Sequence, residues 1–412
     1  MSLTKTSYSM ISGSEFNLLD YGADPTGLTD STAAVQAWLN ALYANNASGY
    51  APQGTYLTTG ASLTYSASKK FAIRGASKGG TIFKKTGSTT DPVLKFRISS
   101  NSYLDLNLNI QDIEIDGNNV ASVNGLDFDA AALVTLIRVR AKNCVVGLEG
   151  AGFLLSSLYD CDFRLNQFGA RFSRGTGVSQ PYANIINMNG CRCTGNTSWG
   201  LYYGQGSGLS VRGCNFEANG TLGDVTTGGV YVAATIDDET GYGFVDFQGS
   251  WFEANKGYSF YMAASADAFL KMSSVSVYNQ ESTYAIYVGA IRSAIFDNIL
   301  APTTNATLTC AAELQNYAGN VYVYAVDTTG ASQVTGAYKT TLIDGLTWNA
   351  TNAQIDTATI VTSLQSPFLK VIDGVTAPTT VSGYAFIYVD TADGDLKIRF
   401  GDGTTKTIVT DT

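Results

Sequence analysis

The sequence predicts an all-β solenoid, a stack of β coils with one helix at its start and a small β module after it. Three observations carry that prediction. A six-residue pattern recurs through the middle of the chain: Cys161-Asp-Phe-Arg-Leu-Asn166, Cys191-Arg-Cys-Thr-Gly-Asn196, Cys214-Asn-Phe-Glu-Ala-Asn219 and Ser250-Trp-Phe-Glu-Ala-Asn255. Its closing asparagines are 23 residues apart, or 23 plus an excess, with Asn143 one step before and Asn279 one step after. A period of this size marks coils that stack and bury a shared core. The composition agrees: 43 glycines, 24 tyrosines and 19 phenylalanines with only 14% charged residues describe many turns and many uncharged faces.

Residues 1–18 read as a leader. Asp30 is placed to cap a helix over about 31–43, in which Ala34, Val35, Trp38, Leu39 and Leu42 share one face. An amphipathic helix at that point covers the open end of the stack, where bare strand edges invite aggregation. Irregular coils follow over about 50–110, and regular ones from Ile110. The solenoid domain is assigned to 19–354. Two steps are longer than the rest, 30 and 36 residues. Gly200-Leu-Tyr-Tyr still matches Gly229-Val-Tyr-Val across the longer one, so the excess is read as loops leaving one coil. Residues 355–412 alternate apolar and polar around the turn Asp390–Gly394 and are assigned to a C-terminal β module suited to self-association.

Side chains alternate across a strand, so the pattern sorts into faces. Cys161, Cys191, Cys214 and Ser250 share a face with Phe163, Cys193, Phe216 and Phe252, and this face is inward. The intervening columns then point out: Asp162, Arg192, Asn215 and Trp251 in one, Arg164, Thr194, Glu217 and Glu253 in the other. The asparagines fall at the turn, where stacked amides pair with backbone.

Glu217 and Glu253 should therefore lie on neighbouring coils, about 5 Å apart. Two carboxylates that close favour one holding its proton, the arrangement that glycosidic cleavage uses: one acid for the leaving oxygen, one nucleophile or base. Asp162 is the third catalytic candidate. Trp251 offers a flat surface to a sugar ring, Arg164 and Arg192 suit an acidic saccharide, and Asn215 stands beside them. Asp237, Asp238 and Tyr242 in the longer insertion complete the candidate binding set. Asp237, Asp238 and Glu239 also read as a solvated cluster or a weak calcium site; the chemistry itself requires no cofactor.

Other classes recede. With 25 Lys plus Arg against 34 Asp plus Glu, the formal charge of -9 argues against a nucleic-acid partner. The absence of histidine removes Ser-His-Asp and Cys-His catalysis. The six cysteines are read as small inward hydrophobes. Residues 1–15 lack the pattern of a secretory signal, and no stretch is long and apolar enough to suggest membrane insertion.

The run Asn17-Leu-Leu-Asp-Tyr-Gly-Ala-Asp-Pro-Thr-Gly-Leu-Thr-Asp30, followed by Ala51-Pro-Gln-Gly-Thr-Tyr56, closely resembles the entry motif of pectate-lyase-like right-handed parallel β-helix proteins. The Phe-Glu-Ala-Asn coils resemble the same superfamily, and together the motifs cover 17 to about 350. The short leader and β-rich tail resemble bacteriophage tailspikes. That resemblance implies a homotrimer on a viral tail that binds and depolymerises a bacterial surface polysaccharide, capsule or O-antigen. The leader is shorter than the usual particle-anchoring domain of such proteins, which implies either that an anchor has been trimmed from the sequence or that the chain docks onto another tail protein through its N-terminus. A lyase acting on a uronate-containing capsule and a non-catalytic adhesin are the alternatives. Asp160, Asp162 and Arg164 only hint at the clustered aspartates and arginine base of the lyases.

Overall fold

The computed structural model describes residues 15–99, 104–175, 182–204, 206–233, 243–263 and 265–278, the strands alone between 284 and 358, and residues 376–410 apart from 378, 381 and 384. It contains two compact units, Met1–Thr359 and Ile360–Thr412. The first is a right-handed parallel β-helix. Each coil contributes one strand to each of three parallel sheets, here numbered I, II and III in chain order. In the second unit, Ala385–Val389, Leu396–Phe400 and Thr405–Val409 form an antiparallel sheet.

The helix Thr32–Asn45 covers the first coil, and Ala34, Val35, Trp38, Leu39 and Leu42 are buried as the periodicity requires. Ser31 takes the capping position rather than Asp30. The Asp30 carboxylate instead accepts the Thr32 N–H at 2.9 Å, one residue further on. Trp38 Nε1 donates to Phe16 O at 2.7 Å, and Gln36 exchanges hydrogen bonds with the backbone of Ser62, so the helix is tied to two walls of the coil it covers.

The interior is built of vertical columns. In sheet II, Ala141, Phe163, Cys193, Phe216 and Phe252 register one above another and are buried. Phe216 and Phe252 stack with ring centroids 5.1 Å apart. Full burial of each such ring contributes about 1.5–3 kcal/mol. Cys161, Cys191 and Cys214 form a second inward column, all free thiols. The Cys191 N–H donates to Cys214 Sγ at 3.3 Å, so the thiol fills space and accepts a backbone bond.

Two corners turn the chain with single left-handed residues. Between sheets I and II these include Asp160, Gly190, Gly213 and Gly249; between II and III, Asn143, Leu165, Gly195, Ala218 and Ala254. For a non-glycine residue this conformation costs about 1–2 kcal/mol. An asparagine ladder immediately after the second corner offsets it. Asn166, Asn196, Asn219 and Asn255 are buried, and each accepts, through Oδ1, the backbone N–H of the ladder residue one coil earlier.

The ladder corrects one element of the sequence reading. Asn143 lies outside it: Cys144 donates to Asn166, and Asn143 registers with Leu165 at the left-handed position. The step there is 22 residues rather than 23, and Asn143 Nδ2 bonds Asp116 at 3.0 Å instead. Asn279 is outside the described residues. The long steps also divide. Residues 221–227 leave the corner between sheets II and III, whereas the other insertions lie between Ser173 and Asn184 and between Val232 and Gly243, after sheet III.

Candidate functional site

The outward face of sheet II holds the predicted residues in the predicted columns. Thr194, Glu217, Glu253 and Tyr278 register on successive coils, as do Asp162, Arg192, Asn215 and Trp251. Glu217 and Glu253 are thus direct neighbours, about 4.8 Å apart along the hydrogen-bonding direction. Each carboxylate is steered by the residue two before it on its own strand. Asn215 Nδ2 donates to Glu217 Oε2 at 3.2 Å, and Trp251 Nε1 donates to Glu253 Oε2 at 2.9 Å. Trp251 remains 38% exposed and stacks on Tyr278 at 4.8 Å with the rings nearly parallel. Two oriented acids beside a flat aromatic shelf can hold a sugar ring and transfer protons across its linkage.

Asp162 departs from expectation. It points out of the coil as its column requires, but it is 0% exposed. Arg140 Nε meets its Oδ2 at 3.0 Å, Arg164 Nε meets its Oδ1 at 2.9 Å, and Arg164 Nη2 closes on Oδ2. Arg140 also bridges to Glu114 at 3.0 Å, and Lys142 reaches Glu114 at 2.7 Å. Burial pushes the Asp162 carboxyl up; Arg164 and then Arg140 outweigh it and hold it below the usual carboxylate range. Alternation predicts direction and is silent on cover, and long arginine side chains from adjacent rows supply the cover. Asp162 is therefore the hub of an ion network two coils from Glu217, and Arg164 is committed to it. Arg192 between them is exposed. Asp237, Asp238 and Tyr242 lie outside the described residues, and the calcium alternative lies there with them.

Sheet III carries a feature the sequence reading missed. One outward column runs Lys95, Asp127, Glu149, Arg171, Tyr202, Tyr231, Tyr261, Tyr287, one residue per coil. The four tyrosine rings stack at 4.9, 5.4 and 4.8 Å, within 11° of parallel. Trp199, Tyr258, Val225 and Thr226 enclose part of this stripe in an open cavity of about 500 Å³. Partial burial, and then neighbouring phenols, raise the Tyr231 and Tyr261 values, so these hydroxyls stay protonated. Beyond the stripe, Arg171 Nε grips Glu149 Oε2 at 2.6 Å and Asn124 Nδ2 donates to Asp127 at 3.0 Å. Burial pushes both carboxyls up despite those partners. The signal was present in the match of Gly200-Leu-Tyr-Tyr with Gly229-Val-Tyr-Val, whose third positions are the first two of these rings.

Comparison with known proteins agrees with this architecture. Residues 124–299 match the family model for a right-handed β-helix region. No curated protein sequence matches the chain. Among solved structures, ORF18 of Geobacillus virus E2 is similar with a TM-score of 0.58 at 17% identity, over 96% of this chain and 86% of that one. The gp42 tailspike of Acinetobacter phage vb_AbaP_AS12 has a TM-score of 0.56 at 12% identity, over 94% and 75%. The enzymatically active domain of tailspike protein 4 from bacteriophage CBA120 has 0.53 at 12% identity, over 78% of this chain but only 45% of its own.

Proposed function

We propose that the protein is a phage tail component that binds a bacterial surface polysaccharide, capsule or O-antigen, and depolymerises it by carboxylate-driven hydrolysis. The observation that carries this reading is the register of Glu217 with Glu253 beside the Trp251–Tyr278 shelf. One glutamic acid donates its proton to the glycosidic oxygen as the bond to the anomeric carbon breaks. The other carboxylate attacks that carbon, or takes a proton from the attacking water. Asn215 and Trp251 fix the two carboxylates, which removes rotamer freedom before substrate arrives. Arg192 is exposed at the same face for an acidic substituent, and Asp162 acts through Arg164 by holding it in place. The structural likeness to phage tailspikes supports the tail assignment, and the proposal extends it to a homotrimer whose N-terminal residues meet another tail protein.

The test is digestion of purified bacterial capsules and O-antigens by the full chain, with mass spectrometry of the products. Hydrolysis predicts repeat-unit fragments with new reducing ends and no gain in ultraviolet absorbance. Unsaturated products would transfer the protein to the lyases. Binding without any cleavage would make it an adhesin.

A further inference from the structure

The sheet III stripe is a surface that neither the sequence motifs nor the sheet II chemistry uses. Its inward neighbours on the same strands are aliphatic or aromatic and buried: Leu201, Val230, Val232, Phe260 and Met262. Its outward members are tyrosines, which keep one polar end wet while presenting an apolar face. A column that served packing alone has no need of four hydroxyl-bearing rings in succession. The rings stand one per coil, so the surface is a straight track parallel to the solenoid axis.

The track's chemistry selects its occupant. Aromatic ladders of this kind accept planar bases or pyranose rings. A nucleic acid also brings one phosphate per residue and needs a basic groove. Among the described residues the cavity is lined by Trp199, tyrosines, Val225 and Thr226 and by no lysine or arginine, in a chain of formal charge -9. A sugar brings no obligatory charge. The stacked rings cover one another's faces and turn their edges and hydroxyls outward, so the sugar's hydroxyls meet phenols and the Thr226 hydroxyl while its C–H groups lie across the apolar ring edges. In the described column, the cation next to the stripe, Arg171, is paired with Glu149. Gly228 registers between Trp199 and Tyr258, and a Cβ there would lie 1.9 Å from Tyr258 O, so no side chain stands between those two rings.

We infer that the Tyr202–Tyr231–Tyr261–Tyr287 stripe is a binding track for an uncharged stretch of polysaccharide, laid along the axis and separate from the sheet II acids. This rests on the saccharide reading above but not on cleavage at Glu217 and Glu253.

The experiment titrates the full chain with purified bacterial polysaccharides, neutral and uronate-containing, and with single-stranded DNA. A neutral polysaccharide is expected to bind and DNA is not. Tyr231→Thr and Tyr261→Thr, which keep a strand-forming residue, should each weaken binding at least about fivefold, while Tyr159→Thr, at an exposed tyrosine of sheet I, leaves it unchanged. On the unmutated chain, hydrogen exchange at saturation should slow over 199–203, 228–232 and 258–262. Unchanged affinity in both Tyr231→Thr and Tyr261→Thr overturns the inference and leaves the proposed function standing. So does protection confined to sheet II. Loss of oligomeric state in those variants with affinity intact overturns it too, making the stripe an interface between copies. A wild-type chain that binds no polysaccharide overturns both readings.

Discussion

Asn219 and Asn255 are joined twice: the backbone N–H and Nδ2 of Asn219 both donate to Asn255 Oδ1, each at 3.1 Å. Asn219 repeats the arrangement toward Asn196 and sends Nδ2 to Cys193 O at 2.8 Å. Asn219→Ala strands the Asn196 N–H in a water-free corner, takes one of two acceptors from the Asn196 amide, which keeps Phe163 O, and removes the amide donor from the Cys193 carbonyl. Each buried group left unpaired costs about 1–3 kcal/mol. A total loss of about 2–4 kcal/mol is expected in urea denaturation, with the midpoint falling and the slope unchanged. A loss below about 0.5 kcal/mol would mean that the ladder does not hold the left-handed corner at Ala218.

Two buried aspartates should respond to pH with opposite sign. Asp162 sits below the ordinary carboxylate range because Arg164 and Arg140 outweigh its burial. Its contribution is present above the unfolded value and is lost as pH falls through the depressed one. The stability gap between wild type and Asp162→Asn should therefore narrow on acidification. Asp127 sits above the range because burial outweighs the Asn124 amide. Its contribution is full below the unfolded value and is lost as pH rises through the raised one. Asp127→Asn, which resembles the protonated form, should gain on wild type toward neutral pH. Denaturation curves at several pH values check both, and parallel curves for either variant would refute that assignment.

The difference between those aspartates shows where the sequence stops being informative. Both lie on outward columns, and alternation alone placed Asp162 correctly as to direction. Cover comes from side chains on other coils, and a one-dimensional pattern does not record how far Arg140 and Arg164 reach. The fold was legible because the asparagines, phenylalanines and cysteines repeat in kind as well as in spacing. The ladder register was misread at Asn143 because Cys144 occupies the ladder position there, so identity pointed one residue off. The tyrosine stripe was half legible. Tyr202 and Tyr231 sit in matching segments, but Tyr258-Ser-Phe-Tyr261 and Tyr284-Ala-Ile-Tyr287 vary around the shared ring. Only the parallel register aligns them.

Thiol reactivity tests the closed interior. Cys144, Cys161, Cys191, Cys193 and Cys214 are buried and unbridged. Burial pushes the Cys144 thiol up to about 12, and the thiolate is the reactive form. A thiol reagent added to the native chain should therefore react with no more than Cys310, while all six titrate in denaturant. Rapid reaction of two or more native thiols would show that the coils open far more readily than this packing allows.

The acid pair makes the sharpest demand. Glu217→Gln or Glu253→Gln removes one proton-transferring group while keeping size and hydrogen bonding, so turnover should fall about 100-fold or more with the melting temperature held. The two need not fall equally. The variant that loses the general acid should be partly spared on substrates with a good leaving group, which depart without a proton. The variant that loses the nucleophile or base should not be spared. Trp251→Ala removes the shelf and the hydrogen bond to Glu253 together. It should raise KM through lost stacking and lower kcat through a freed carboxylate, whereas Trp251→Phe restores the stacking and only the KM. Full activity in both glutamine variants would take the chemistry off sheet II.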